Sequence, residues 1–196
     1  MARHAETVGA APRIEPLDES EMPEEGRELV RRIRASAGAS DIDTVPEYMR
    51  TMLRHPEIFR CQMAMGTALF NGRIPALERE LAILRIGWLC QAPYEYGQHV
   101  IIARRLGMSA QDIERARNGS AAPGHTRHEA AILRGVEELL ENKVISEETW
   151  TVLAESWDEA QLIEFPVMVG QYVAPAYTQN SIRFRLEPEN DGLASV

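Results

Sequence analysis

The chain is short of several residues that common chemistries need. Among 21 basic residues only Lys143 is a lysine, so Schiff-base chemistry would have a single candidate. The two cysteines, Cys61 and Cys90, cannot build a disulfide framework or a thiolate metal cage. No run approaches the ~20 apolar residues that span a bilayer, which argues against a membrane protein. Met1-Ala2-Arg3-His4-Ala5-Glu6 leads into no apolar stretch, so no secretory signal is expected and a cytoplasmic location is. Excess positive charge is missing too. A net charge of −9 and a pI near 5.1 speak against a broad nucleic-acid surface. What remains suffices for a core: 44% of the 196 residues are hydrophobic and 26% charged, the balance of one ordinary domain rather than a disordered chain.

Helical signals recur almost throughout, and no alternating strand pattern separates them. Residues 1–20 are polar and carry Pro12 and Pro16, the pattern of an arm that is disordered or draped over a neighbour. One globular domain is expected over 21–187, with a loose polar tail over 188–196. Pro23-Glu24-Glu25 opens a first helix, stopping near Gly38; a short one runs from Pro46 to Leu53. Pro56 starts another, with Gly72 placed for a left-handed cap. Pro75 precedes a central helix whose Leu77, Leu81, Leu84 and Trp88 form one apolar stripe. The next begins at Pro93 and stops at Gly107. Ser109 with Asp112, and Thr126 with Glu129, have capping spacing, and Ser146 can cap a further helix. Asp158 with Gln161 opens the last helix, expected to bend or break at Pro166 and Pro175. The expected fold class is all-α.

Glu95 and His99 stand four apart on one expected helix, so their side chains share a face. A carboxylate there can orient the imidazole, favour its protonated form and help it transfer a proton near neutral pH. The alternative is an ordinary exposed pair, worth a few tenths of a kcal/mol. The preceding helix holds Glu80 and Arg85, and the turn at Gln91-Ala92-Pro93 folds the two helices back on each other.

Arg79-Glu80-Leu81-Ala82-Ile83-Leu84-Arg85 followed by Ala92-Pro93-Tyr94-Glu95-Tyr96-Gly97-Gln98-His99 resembles the carboxymuconolactone decarboxylase and alkylhydroperoxidase-D superfamily. The resemblance is close over residues 75–107 and looser from Pro12 to Leu186. It implies an all-α, obligately oligomeric subunit, usually in a trimer or hexamer, with two central helices around a pocket near a subunit interface. The peroxidase-like branch of that superfamily carries Glu and then Cys-x-x-Cys-x-x-x-His. On this chain its glutamate falls on Glu80 and its histidine on His99, but its cysteines fall on Ala92 and Glu95. With both sulfurs missing, a dithiol cycle cannot run. The pattern is instead that of the decarboxylase-like branch, in which a carboxylate leaves an unsaturated lactone and the resulting dienolate is reprotonated. Such chemistry needs no redox cofactor.

The resemblance thus implies a cofactor-independent lyase or isomerase of aromatic catabolism, acting on a small carboxylated lactone or ring-cleavage product. Glu80, Glu95 and His99 are the expected catalytic residues, with His99 the proton donor in a buried or half-buried cavity. Arg85, Tyr96, Gln171 and Tyr172 are the candidate substrate-binding residues, Arg85 as a bidentate clamp for a carboxylate or else as a structural ion pair. Glu80, Glu95 and His99 have the donor types of a metal site, but nothing in the motif demands one, and no metal is expected. Cys61 and Cys90 read as buried structural residues, and Gly87 suggests a close helix crossing. An alkylhydroperoxidase-D-like reductase and a non-catalytic, ligand-binding helical oligomer are the alternatives.

Overall fold

Helix after helix begins where a polar side chain can accept from the unpaired first-turn N–H groups or where a proline removes one of them. The computed structural model describes residues 10–36 and 45–196. Among them nine α-helices follow one another and no strand forms. They are α1 (Glu24–Ser36), α2 (Glu47–Met52), α3 (Pro56–Phe70), α4 (Ala76–Leu89), α5 (Pro93–Arg105), α6 (Ala110–Asn118), α7 (Arg127–Asn142), α8 (Glu147–Ala154) and α9 (Glu159–Ile182). All three capping pairs read from the sequence close in both directions: Ser109 with Asp112, Thr126 with Glu129, and Asp158 with Gln161. Gly107 and Gly119 end their helices at positive φ.

Several expectations give way to packing. Gly72 is not a left-handed cap. It is small because the Glu164 carboxylate reaches past it to accept from Arg73 N at 2.7 Å and Ile74 N at 3.3 Å, and a Cβ there would lie 2.2 Å from that carboxylate. Pro166 and Pro175 do not break α9, which runs unbroken for 24 residues. Contacts with α3, α4, α5, α7 and α8 along its length offset the two missing N–H donors. The tail is not loose: Asn190, Leu193 and Ser195 are buried, and the turn at Gly192–Ala194 packs on α5. The described part of the N-terminal arm lies on its own chain, with Arg13 N donating to Ile182 O at 2.8 Å and Arg54 Nε to Glu15 O at 2.7 Å. The stop expected at Gly38 falls outside the described residues, as do residues 1–9.

Helix α4 is the axis of the bundle, touching α5, α6, α7 and α9. It is buried on nearly every side rather than along one stripe, and Leu77 at its outer end is exposed. One apolar cluster joins α4 to α9 through Leu81, Leu84, Ile132, Phe165 and Met168. A second, with Leu29, Met52, Phe59, Tyr94 and Phe184, packs α1 to α3 against the end of α9. Tyr94 belongs to the second cluster and Tyr96 to the first, so Glu95 enters the protein where the two meet.

Candidate active site

The turn between α4 and α5 sets the geometry. Gln91 takes a positive φ of 50°, Ala92 N reaches back to Gly87 O at 2.9 Å, and Asn180 Nδ2 on α9 donates to Cys90 O and Gln91 O. Gly87 lets the helices touch, since a Cβ on it would lie 3.2 Å from the Tyr96 Cα. This close crossing brings Glu80 of α4 against α5. Glu80 is fully buried, and its Oε2 lies 2.6 Å from His99 Nδ1. Its Oε1 accepts from Arg79 Nε at 3.2 Å. On the other side of the ring, His99 Nε2 lies 3.5 Å from Glu95 Oε1. Glu95 Oε2 accepts from Gln179 Nε2 of α9 at 2.6 Å. A row of five side chains results: Arg79, Glu80, His99, Glu95, Gln179.

Electrostatics make the ring in this row a cation. Burial works against a charged imidazole, but the adjacent Glu80 carboxylate, and after it Glu95, overcome that cost and raise the His99 pKa to about 10. At neutral pH the ring is an imidazolium with a carboxylate at each nitrogen. Tyr172 of α9 packs edge-on against it, centroids 5.2 Å apart. Burial, and then the charges of Glu80 and Glu95, push the Tyr172 phenol well above its usual range. Burial and Glu95 do the same to Tyr48 of α2. The ring of acceptors and neutral phenols can stabilise one mobile proton. It contains no thiolate: burial and then Glu95 raise Cys90 to about 11, which keeps it a thiol.

Of the residues singled out in the sequence, Glu80, Glu95, His99 and Tyr172 come together. Arg85 does not join them; its guanidinium donates to Arg117 O and pairs with Glu137 Oε1 at 2.8 Å, tying α4 to α6 and α7. Tyr96 points into the core beside Trp88, with centroids 5.8 Å apart and its hydroxyl unpartnered. Gln171 donates to Gln62 O at 3.2 Å and links α9 to α3. Cys61 is exposed on α3 rather than buried, because none of the described helices covers that face. Arg79 and Gln179 were missed. Arg79 adjoins the motif and is 4% exposed, stacked over Phe70 at 4.4 Å, and a charge inside an apolar helix was the available signal. Gln179 lies 84 residues from Glu95 and carried no local signal.

A cavity of about 180 Å³ lies beside the start of α4, lined by Leu77, Glu78, Met108, Arg115 and His125 among others. A larger recess of about 680 Å³ lies between α1 and α3, lined by Glu24, Glu28, Arg32, Glu57 and Arg60 among others. Neither is lined by Glu80, Glu95 or His99, so the shared cavity expected from the sequence is not among them. The three converge in packed interior instead, with the His99 and Glu95 side chains keeping 10% and 9% of their surface exposed and Glu80 none. Among the described residues no group of three His, Cys, Asp or Glu is arranged to hold a metal. Both His99 nitrogens face carboxylates, so the three do not share a vertex.

An all-helical chain with a Glu–His–Glu row across two central helices can be set beside known proteins of like fold. Residues 56–138 match the model of the carboxymuconolactone decarboxylase family. No curated protein matches it. Among solved structures, an uncharacterized peroxidase-related protein from Silicibacter sp. TM1040 superposes with a TM-score of 0.76 at 16% identity, covering 94% of this chain and 98% of its own. The alkylhydroperoxidase AhpD core of an uncharacterized peroxidase-related protein from Ralstonia eutropha JMP134 gives 0.75 at 18%, covering 92% and 95%. A cysteine-to-alanine variant of the debrominase Bmp8, in complex with 2,3,4-tribromopyrrole, gives 0.75 at 15%, covering 92% and 94%. At these identities the likeness is one of fold.

Proposed function

We propose that this protein is a cofactor-independent, decarboxylase-like lyase or isomerase that works in the cytoplasm on a small carboxylated lactone or related product of aromatic ring cleavage. The observation that carries this reading is the buried His99 ring held between Glu80 and Glu95, with Glu95 standing where the peroxidase-like pattern would have a thiol. In a decarboxylation the bond from the γ carbon to the carboxylate breaks and CO₂ leaves. The electron pair passes through the double bond to the lactone carbonyl, giving a dienolate. The positive ring offsets that negative charge in a site with little water. A proton then passes from His99 Nε2, directly or through Glu95, to carbon, and the ring recovers its proton from solvent. Glu80 and Arg79 hold the ring's orientation and Tyr172 walls one side.

The same reading includes assembly into a trimer or hexamer. On α9, Ile163, Val167, Gly170, Ala174 and Tyr177 recur at steps of four and three, and all are exposed. On neighbouring α3, Ile58, Cys61, Met65 and Ala68 do the same. A 3.5-residue apolar seam left uncovered by the described residues suits packing against another subunit.

The test is CO₂ release from a panel of carboxylated lactones. Wild-type protein should turn over at least one of them, His99→Ala should lose roughly 10²–10⁴-fold in kcat, and Cys90→Ser should behave as wild type. Equal rates for wild type and His99→Ala would end this reading. Loss of peroxide reduction on changing either cysteine would revive the thiol one.

A further inference from the structure

Glu95 can act in proton transfer only if its surroundings tolerate it both as a carboxylate and as an acid, and the structure holds a side chain suited to that. Gln179 is 3% exposed on the last turn of α9. Its backbone carbonyl is fixed by Arg183 N at 2.9 Å and Phe184 N at 3.2 Å, and next to it Asn180 ties the helix to the α4–α5 turn. The amide Nε2 donates to Glu95 Oε2, the oxygen turned away from His99. Its other end, Oε1, is buried and has no hydrogen-bond partner among the described residues. A buried acceptor left unpaired is costly and uncommon. A plain donor or an apolar side chain at this position would avoid that cost.

The groups that face Glu95 leave its outer oxygen to Gln179. His99, on the same helix, takes Oε1. Glu80 of α4 is occupied by His99 and Arg79. Tyr48 of α2 donates to Gln62 Oε1 at 3.3 Å, and Tyr94 of α5 donates to Glu187 at 2.7 Å. Tyr172 of α9 packs on the imidazole, and Cys90 in the α4–α5 turn is a half-buried thiol. The terminal torsion of a glutamine side chain is broad and roughly two-fold, so a half-turn exchanges its nitrogen and oxygen without moving the helix.

We infer that Gln179 is a positioning residue serving both protonation states of Glu95, donating Nε2–H to the carboxylate and, after a half-turn of the amide, accepting at Oε1 from the carboxylic acid. When Glu95 Oε2 takes a proton from a carbon acid, the C–H electron pair stays on the substrate as an enolate and the new O–H turns toward Gln179 Oε1. When Glu95 returns the proton to carbon, the amide turns back. This inference rests on the acid–base reading above. It adds that the unpaired carbonyl is the resting half of a two-position partner.

The test uses side-chain amide NMR on the full chain labelled with ¹⁵N-glutamine, with Gln179→Met identifying the Gln179 signals. At neutral pH one Gln179 amide proton should be shifted downfield and protected from exchange by its bond to the carboxylate. Glu95→Gln imitates the protonated acid. Its oxygen must still face the His99 Nε2–H, so its own amide N–H faces Gln179. The Gln179 amide should then lose its shift and exchange about tenfold faster or more, the loss of one charge-assisted hydrogen bond. A Gln179 amide that stays bonded and protected in Glu95→Gln overturns the inference. Should that variant not fold, acid titration of the wild-type protein decides instead: a signal that keeps its position until the chain unfolds also overturns it. The two proposals fail separately. A fixed amide with an inactive His99→Ala removes only the amide switch, whereas a turning amide with a fully active His99→Ala removes only the proposed reaction.

Discussion

Raising the pH at fixed protein concentration should weaken the fold through one residue. The His99 pKa is about 10 in the folded protein against 6.5 for a free imidazole. The folded state therefore binds the proton more tightly, so its contribution to stability is complete below pH 6.5, falls through the window and is gone above pH 10. At about 1.4 kcal/mol for each pH unit, that gap amounts to about 5 kcal/mol per subunit. For a domain of this size such a loss lowers the melting temperature by roughly 10–20 °C. The assay is thermal or urea unfolding followed by circular dichroism from pH 6.5 to 10, beside His99→Gln, at one protein concentration because any self-association shifts apparent stability. Cys90, raised from 9.0 to about 11, adds to the decline only above pH 9, and the comparison with His99→Gln cancels it. A wild-type profile that stays flat over this range, or one with the same slope as His99→Gln, would refute the buried imidazolium.

Three further outcomes follow from the packing and the thiols. Gly97→Ala would place a Cβ 1.7 Å from Asn190 Oδ1, so the C-terminal tail should lift from α5 and its amides lose hydrogen-exchange protection; an unchanged exchange map would contradict the close fit. Iodoacetamide at pH 8 should label Cys90 far more slowly in the folded protein than in the urea-unfolded chain, because its pKa is about 11; equal labelling rates would contradict the high Cys90 pKa. Val167→Glu on the exposed seam of α9 should shift light scattering from an oligomer toward the 22.0 kDa subunit, and an unchanged mass would remove α9 from the interface.

The parts of this fold legible in the sequence were those set by neighbours along the chain. Thr126 with Glu129, Ser109 with Asp112 and Asp158 with Gln161 satisfy one another within a single turn, so spacing alone locates three helix starts. Glu95 and His99 share a face for the same local reason, and the turn at Gln91-Ala92-Pro93 points back toward Glu80. Long-range partners had no such signature. Gln179 and Tyr172 meet the motif only because α9 crosses it, and α9 crosses it as one helix despite Pro166 and Pro175 because contacts along its length outweigh two missing hydrogen bonds. The tail misled for a related reason: residues 187–195 are mostly polar, and hydrogen bonds from Asn190 to Tyr94 O and from Gly192 to Asn190 hold part of them in place. Gly97 inside α5 was the one local hint of that contact. Cys61 misled in the opposite direction, being apolar in pattern yet exposed, because the face of α3 that carries it is left uncovered by the described residues.

The most direct test of the central claim is the protonation state of the His99 ring, read from its ¹⁵N shifts in the full-length protein between pH 6 and 11. Both nitrogens should be protonated at pH 8, with a single deprotonation near pH 10. Glu80→Gln should move that step to lower pH, because the closest carboxylate is then gone. A ring that is already neutral at pH 8, or one that titrates identically in Glu80→Gln, would contradict the account.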